Sequence, residues 1–203
     1  MKNSNVCIIF IKFPEAGRVK TRLGCTIGME KAAEIYKQLA ENAVNSGKSS
    51  EYDLLIAIDQ PERLHEFENW LGNYEFIEQG SGDLGGKMQN AFEYAFKKGY
   101  TRCIVTGSDT PELDYRIVLE GFSALNSSDI VLGKADDGGY YLVGMSRHLQ
   151  EFTIFSNMIW SIDTVLAETL KRLKTRGKTA ALLKELGDID TEADLLKFGD
   201  RFV

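Results

Sequence analysis

Short apolar runs alternate with longer amphipathic stretches along this chain of 203 residues. The runs Val6–Ile11, Leu54–Asp59, Tyr74–Glu78, Arg102–Thr106, Ile130–Lys134 and Tyr140–Met145 have the length and composition of strands. Apolar positions recurring at i, i+3, i+4 and i+7 predict helices over Met29–Ser46, Pro61–Leu71, Leu84–Lys98, Asp114–Leu125, Asp163–Thr175 and Glu192–Phe198. In the first of these the stripe is Ala32, Ala33, Ile35, Tyr36, Leu39, Ala40 and Ala43, and in the third it is Met88, Ala91, Phe92, Ala95 and Phe96. Both stripes read as core faces, and the aromatic residues in them do not form a cofactor box. The apolar stretch before Asp188 reads as helix-like.

Alternating strand and helix with short connections implies a three-layer α/β architecture around a mostly parallel sheet. Ile130–Lys134 and Tyr140–Met145 break the rule, because only Ala135-Asp-Asp-Gly-Gly139 joins them. A parallel crossover needs about a dozen residues or more, so these two strands run antiparallel or diverge through a turn, and the sheet is mixed. There is no internal repeat, low-complexity segment or inter-domain linker. At this length the chain is expected to form one domain over residues 1–203. Ser46-Gly-Lys-Ser-Ser50 lacks the first glycine of a phosphate-binding P-loop and precedes a strand, which rules that motif out.

Composition narrows the function. With 24 basic and 30 acidic side chains the net charge is −6, so an extended basic surface for nucleic acid is not expected. One local basic pocket for a small phosphorylated ligand remains compatible with that balance. No stretch approaches the ~18 consecutive apolar residues of a membrane span. Cys7, Cys25 and Cys103 have no metal-ligand spacing, and Cys7 and Cys103 lie in apolar strands. An odd count without a secretory signal points to a reducing compartment, and the expected location is cytoplasmic.

Within that acidic chain, Lys12, Arg18, Lys20 and Arg22 fall in eleven residues opposed only by Glu15. Pro14 and Gly17 make the segment a loop, directly after the first strand. Backbone N–H groups and cations converge in such loops, and open α/β sheets place their ligands at strand carboxyl ends, so the loop is a candidate phosphate site. The plainer use is a solvated basic loop. Gln79-Gly80-Ser-Gly-Asp83-Leu-Gly-Gly86-Lys87 leaves a strand and opens a helix; Gln79 and Gly80 could line a base or ribose, with Lys87 reaching phosphate.

Three acidic segments face the same end of the sheet. Asp109, in Gly107-Ser-Asp-Thr-Pro111, ends a buried strand and suits Mg²⁺ or Mn²⁺, which take one or two carboxylates plus phosphate oxygens. Its plainer use is an N-cap for the helix after Pro111. Asp137, in Asp136-Asp-Gly-Gly-Tyr-Tyr141, sits at a tight turn and is a candidate for the acceptor side, or simply a solvated turn residue. In Asp188-Ile-Asp190-Thr-Glu192, Asp190 resembles an N-cap, while Asp188 is a candidate second metal ligand. His65 and His148 sit in surface-like contexts, and no Ser-His-Asp or cysteine-nucleophile arrangement is visible.

Taken in order, Lys12-x-Pro14-x-x-Gly17-x-Val19-Lys20-Thr-Arg22-Leu23, Gln79-Gly80…Asp83-Leu-Gly85, Gly107-Ser-Asp109-x-Pro111, Asp137-Gly-Gly-Tyr-Tyr-Leu142 and Trp160-Ser161 resemble the DUF2064 family over nearly the whole chain. Its members are candidate glycosyltransferases of the nucleotide-diphospho-sugar transferase superfamily, with the GT-A fold. The closing Asp188-x-Asp190-Thr-x-x-Asp194-Leu is shared with related nucleotidyltransferases. The resemblance implies a Rossmann-like sheet with a nucleotide at the carboxyl ends of its first strands, and it matches Asp109 to the superfamily's metal-binding acidic motif. Many GT-A enzymes carry Asp-x-Asp there; this chain has Gly107-Ser-Asp109.

The resulting expectation is a metal-dependent transferase with a nucleotide-sugar donor and a small-molecule acceptor. Asp109 and Asp188 would hold Mg²⁺ or Mn²⁺. Lys12, Gly17, Lys20, Arg22, Gln79, Gly80 and Lys87 would bind the nucleotide and its phosphates. Asp137 and Lys20 would do the catalytic work. Two rivals keep the fold: nucleotidyl transfer from a triphosphate to a phosphorylated acceptor with release of pyrophosphate, and a non-catalytic nucleotide-binding module.

Overall fold

The β-branched and apolar residues of Val6–Ile11 alternate between two faces, and both faces are covered. The computed structural model describes residues 3–149 and 152–202. In chain order its elements are β1 (Asn5–Ile11), α1 (Thr21–Ile27), α2 (Met29–Ser46), β2 (Asp53–Ile58), α3 (Leu64–Leu71), β3 (Glu75–Glu78) and α4 (Leu84–Lys97). There follow β4 (Arg102–Thr106), α5 (Tyr115–Ala124), β5 (Ile130–Ala135), β6 (Tyr140–Ser146), α6 (Val165–Thr175), β7 (Ala180–Leu186) and α7 (Glu192–Lys197).

The strands form one seven-stranded sheet in the order β3-β2-β1-β4-β6-β5-β7. β6 is antiparallel to both its neighbours, β4 and β5, while the remaining pairs are parallel. Cys7, Ile9 and Ile11 face one helical layer, where Ala40, Ala43 and Val44 of α2, Phe67 of α3 and Phe122 of α5 meet them. Val6 and Ile8 face the other, made by Met88, Phe92 and Phe96 of α4 and Leu173 of α6. Sheet and two helical layers are the expected three-layer α/β architecture.

Two elements depart from the sequence reading. The helix-like stretch before Asp188 contains β7, which pairs parallel to β5 from Ile130↔Ala180 to Ala135↔Leu186. Ala, Leu, Lys and Glu favour helix in isolation, but a vacant sheet edge offers this segment a ladder of backbone partners, and tertiary context prevails. The basic loop is also shorter than expected. It ends at Lys20, which has left-handed φ 44° and ψ 46° and precedes the first turn of α1. Arg22 is therefore a helical residue.

α1, α2, α7 and the final turn Gly199–Phe202 build a third apolar cluster beside the sheet, from Leu23, Ala32, Ile35, Leu39, Leu195 and Phe202. Ile189 is fully buried in it. The segment after β7 is pinned there.

Candidate active site

β1 leads through α1 and α2 to β2 and then β3 on one side; α4 then carries the chain back to β4 on the other side of β1. Connections leaving β1 and β4 diverge, and a crevice opens between them, the usual ligand position in such sheets. A cleft of about 690 Å³ lies there. Lys12, Arg18, Lys20, Arg22 and Lys87 line it together with Asp109, Asp137, Asp188 and Asp190, and Tyr140 and Trp160 stand in its wall.

Neighbouring elements hold the basic loop in place. The Phe13 N–H donates to Asp59 Oδ1 at 3.1 Å. The Arg63 guanidinium stacks 3.4 Å from the Phe13 ring centroid and reaches Glu15 at 3.3 Å. The Lys12 N–H donates to the Tyr36 hydroxyl at 2.8 Å, and that hydroxyl lies 3.1 Å from Ser108 Oγ. Burial, opposed by the bond to Ser108, pushes the Tyr36 phenol up to about 12, so it stays a neutral strut between the loop and the end of β4.

Lys20 turns inward. Its side chain is 4% exposed, and its ammonium donates to Asp109 Oδ2 at 2.9 Å and to Asp190 Oδ1 at 2.6 Å. Burial works against the charge, but the two aspartates outweigh it and raise the pKa, so Lys20 is a cation throughout the physiological range. Burial likewise pushes Asp109 up, and Lys20 outweighs it, holding that carboxyl below its usual range. Arg22 approaches Asp190 more loosely, at 3.9 Å.

Asp109, Asp188 and Asp190 each present a carboxylate oxygen, all within 4.8 Å of one another. Asp188 accepts no hydrogen bond or ion pair among the described residues. Its carboxyl is pushed up to about 7, first by burial and then by the charges of Asp109 and Asp190. The Ile189 N–H donates to the Asp109 carbonyl at 3.2 Å, so the segment after β7 is tied directly to the end of β4.

Asp137 is set in the turn between β5 and β6, where its Oδ1 accepts the Gly139 N–H at 2.8 Å. Gly138 has φ 88°, and a Cβ there would overlap the backbone carbonyl of Asp163. Trp160, which meets Tyr140 edge to face with centroids 6.4 Å apart, donates its indole N–H to Asp83 Oδ2 at 3.1 Å. Asp83 also accepts the Gly86 N–H as the N-cap of α4. The wall of the cleft is thereby braced from two sides.

The cleft brings together Lys12, Lys20, Arg22, Lys87, Asp109, Asp137 and Asp188 as read from the sequence. Three further residues are placed differently. Gly17, with φ 78° and open space around it, is a turn residue and is not among the residues lining the cleft. Gly80 is likewise outside the lining; with φ 77°, a Cβ there would run into Asn90. Gln79 lines the cleft but is only 4% exposed, and its amide donates to the carbonyls of Ile11 and Ala57 at 3.3 and 3.0 Å. It ties β1 to β2, so its amide N–H group is not free for a base.

Asp190 resembles an N-cap in sequence, but Thr191 caps α7 in a reciprocal box with Asp194. Asp109 is no cap either, since Asp114 caps α5. Arg18, a member of the same basic pattern, also lines the cleft.

The crevice at the sheet's switch point is lined by cations and by a carboxylate cluster, and the fold is of the transferase type seen in nucleotidyl and nucleotide-sugar transferases. Residues 43–162 match the family model "Uncharacterized protein conserved in bacteria (DUF2064)", and the chain belongs to this family. The basic loop, Asp188 and Asp190 lie outside the matched stretch. End to end, the fold matches the crystal structure of a candidate nucleotide-diphospho-sugar transferase from Desulfovibrio desulfuricans G20. That match has a TM-score of 0.92 and 30% identity, over 98% of this chain and 87% of the other.

A nucleotidyl transferase from Methanothermobacter thermautotrophicus has a similar fold at TM-score 0.65 and 14% identity, over 98% of this chain and 97% of that one. A 2-phospho-L-lactate guanylyltransferase from Methanothermobacter thermautotrophicus (strain Delta H) is 26% identical over 120 residues, 59% of this chain. The match covers 53% of that protein, so the chain spans about half the length of this curated relative.

Proposed function

We propose that the cleft transfers a glycosyl group from a nucleotide-sugar to a small-molecule hydroxyl acceptor, assisted by Mg²⁺ or Mn²⁺ on Asp109, Asp188 and Asp190. The observation that carries this reading is the carboxylate cluster facing the basic loop across one crevice. An all-oxygen donor set suits a hard divalent cation, and the partly buried, unpartnered carboxylate of Asp188 is the feature that such an ion would satisfy. When bound, the ion supplies Lewis-acid stabilisation of the donor's diphosphate.

The remaining chemistry belongs to the chain. Lys12, Arg18, Arg22 and Lys87 orient the phosphates, and Lys20 adds charge where the leaving nucleoside diphosphate develops it. Asp137, oriented by the Gly139 N–H, takes the proton from the acceptor hydroxyl. The hydroxyl oxygen bonds to the anomeric carbon as the bond from that carbon to the phosphate oxygen breaks. The Tyr140–Trp160 wall offers an aromatic surface to the sugar or acceptor. The end-to-end likeness to the Desulfovibrio structure supports a sugar donor.

Nucleotidyl transfer is the second reading, favoured by the density of cations between Lys12 and Arg22 and by the named activity of the guanylyltransferase relative. Incubation with nucleotide-sugars or nucleoside triphosphates, each with Mg²⁺ or Mn²⁺ and an acceptor panel, separates the two. Nucleoside diphosphate released from a nucleotide-sugar supports glycosyl transfer. Pyrophosphate released from a triphosphate transfers the assignment to the second reading. Failure of any nucleotide to bind would overturn both.

A further inference from the structure

The Lys20 ammonium is bound to two of the three carboxylates that could hold a metal ion. It is nearly inaccessible to solvent and bonded at 2.9 and 2.6 Å to two of the three clustered carboxylates. It reaches them from a residue with φ 44° and ψ 46°, a left-handed backbone that is uncommon for a lysine. The same residue ends the basic loop, beside Arg18 and Arg22 in the lining of the cleft. Lys20 thus lies within one side chain's reach of both the acidic cluster and the place proposed for phosphate.

We propose that Lys20 is an internal counter-ion that gates the metal: it holds Asp109 and Asp190 until a nucleotide arrives, then moves to the phosphates and releases them. This rests on the metal-assisted reading above and sets the order of binding. An ammonium and a divalent cation compete for the same carboxylate oxygens, since two cations a few ångströms apart repel strongly in a partly buried site. Donor phosphate offers Lys20 a new anion, so the competition ends only when the nucleotide is present. Metal and nucleotide then bind with positive coupling, each raising the affinity of the other by the same factor. Asp188, which has no share of the ammonium, is the open member of the cluster.

The test is Mn²⁺ binding followed by the loss of its free-ion electron paramagnetic resonance signal, with no turnover required. Wild type, Lys20→Met and Lys20→Gln are titrated with and without a nucleoside diphosphate, after melts in chelator confirm that each variant is folded. Without nucleotide, both variants are expected to bind Mn²⁺ at least about tenfold more tightly than wild type. The enhancement by nucleotide should shrink in both. Equal nucleotide-free affinity in wild type and variants overturns the gate and leaves the metal-assisted reading standing. Absence of Mn²⁺ binding in all three, with nucleotide present, overturns both.

A measurement on the wild type keeps the proposal falsifiable if the variants fold poorly. Amine acetylation mapped by mass spectrometry should leave Lys20 protected in chelator and label it at saturating Mn²⁺ without nucleotide. Continued protection of Lys20 while Mn²⁺ is bound would overturn the gate.

Discussion

Asp188 and Asp190 are separated by one residue, and that residue decides where both carboxylates point. Ile189 is turned into the apolar cluster of α1, α2 and α7, so its neighbours face the opposite way, towards Lys20 and Asp109. The consequence for titration has a definite sign. Asp188 is raised from an ordinary carboxyl value to about 7 in the folded chain. Its contribution to stability is present below the unfolded pKa and is lost as pH rises through about 7. Measured by denaturant unfolding in chelator, wild type relative to Asp188→Asn should lose stability from about pH 4 to about pH 7.5; a flat difference would contradict the shift. Asp109→Ala and Lys20→Ala should each weaken nucleotide binding in the presence of metal, and unchanged affinity in both, by calorimetry, would remove the proposed site.

The acidic cluster was only partly legible at this scale. Asp109 and Asp188 stood out because each follows an apolar run. Asp190 was hidden by its neighbours: Asp-Thr-x-x-Asp spells a helix start, and a real capping box is there, one residue further on. The bonds of Gln79 were hidden for a different reason. A polar residue at a strand end reads as a ligand contact, yet burial at that end makes it a tie between two backbones.

Among the elements, the six strands read from alternation are all present, and the short β5–β6 connection correctly required a mixed sheet. β7 escaped notice because its residues favour helix and its stability comes from the edge it completes, which no local pattern records. Two substitutions test how elements place the site. Ile189→Ala should cost about 2–4 kcal/mol by opening a cavity under the segment that carries two aspartates, read from chemical unfolding. Gly138→Ala should cost about 1–3 kcal/mol, because a positive φ and the Asp163 backbone both exclude a Cβ. In that variant Asp137 would lose its placement, and turnover should fall further than nucleotide affinity.

At the scale of the molecule, architecture and cleft position followed from the sequence because both depend on element order, which alternation reports well. Contacts between distant segments did not, since nothing local to Lys20 announces a partner 170 residues away. Binding to the native state raises its stability by mass action. A nucleotide-sugar at ~100 times its Kd, with Mg²⁺ or Mn²⁺, should therefore add about 2.7 kcal/mol to unfolding, and the metal or the nucleotide alone should add much less. Equal shifts with and without metal would detach the acidic cluster from nucleotide binding.

The tie between Lys20 and Asp190 also bears on how the protein is made. The basic loop is synthesised well before the carboxylate of Asp190, which lies 170 residues beyond Lys20. Until residue 190 has emerged, the nascent chain has every strand of its sheet but only one of the two aspartates that bind Lys20, and an incomplete acidic cluster. The ion pair of Lys20 and the acidic cluster are therefore completed in the same step, after the last strand of the sheet has been synthesised.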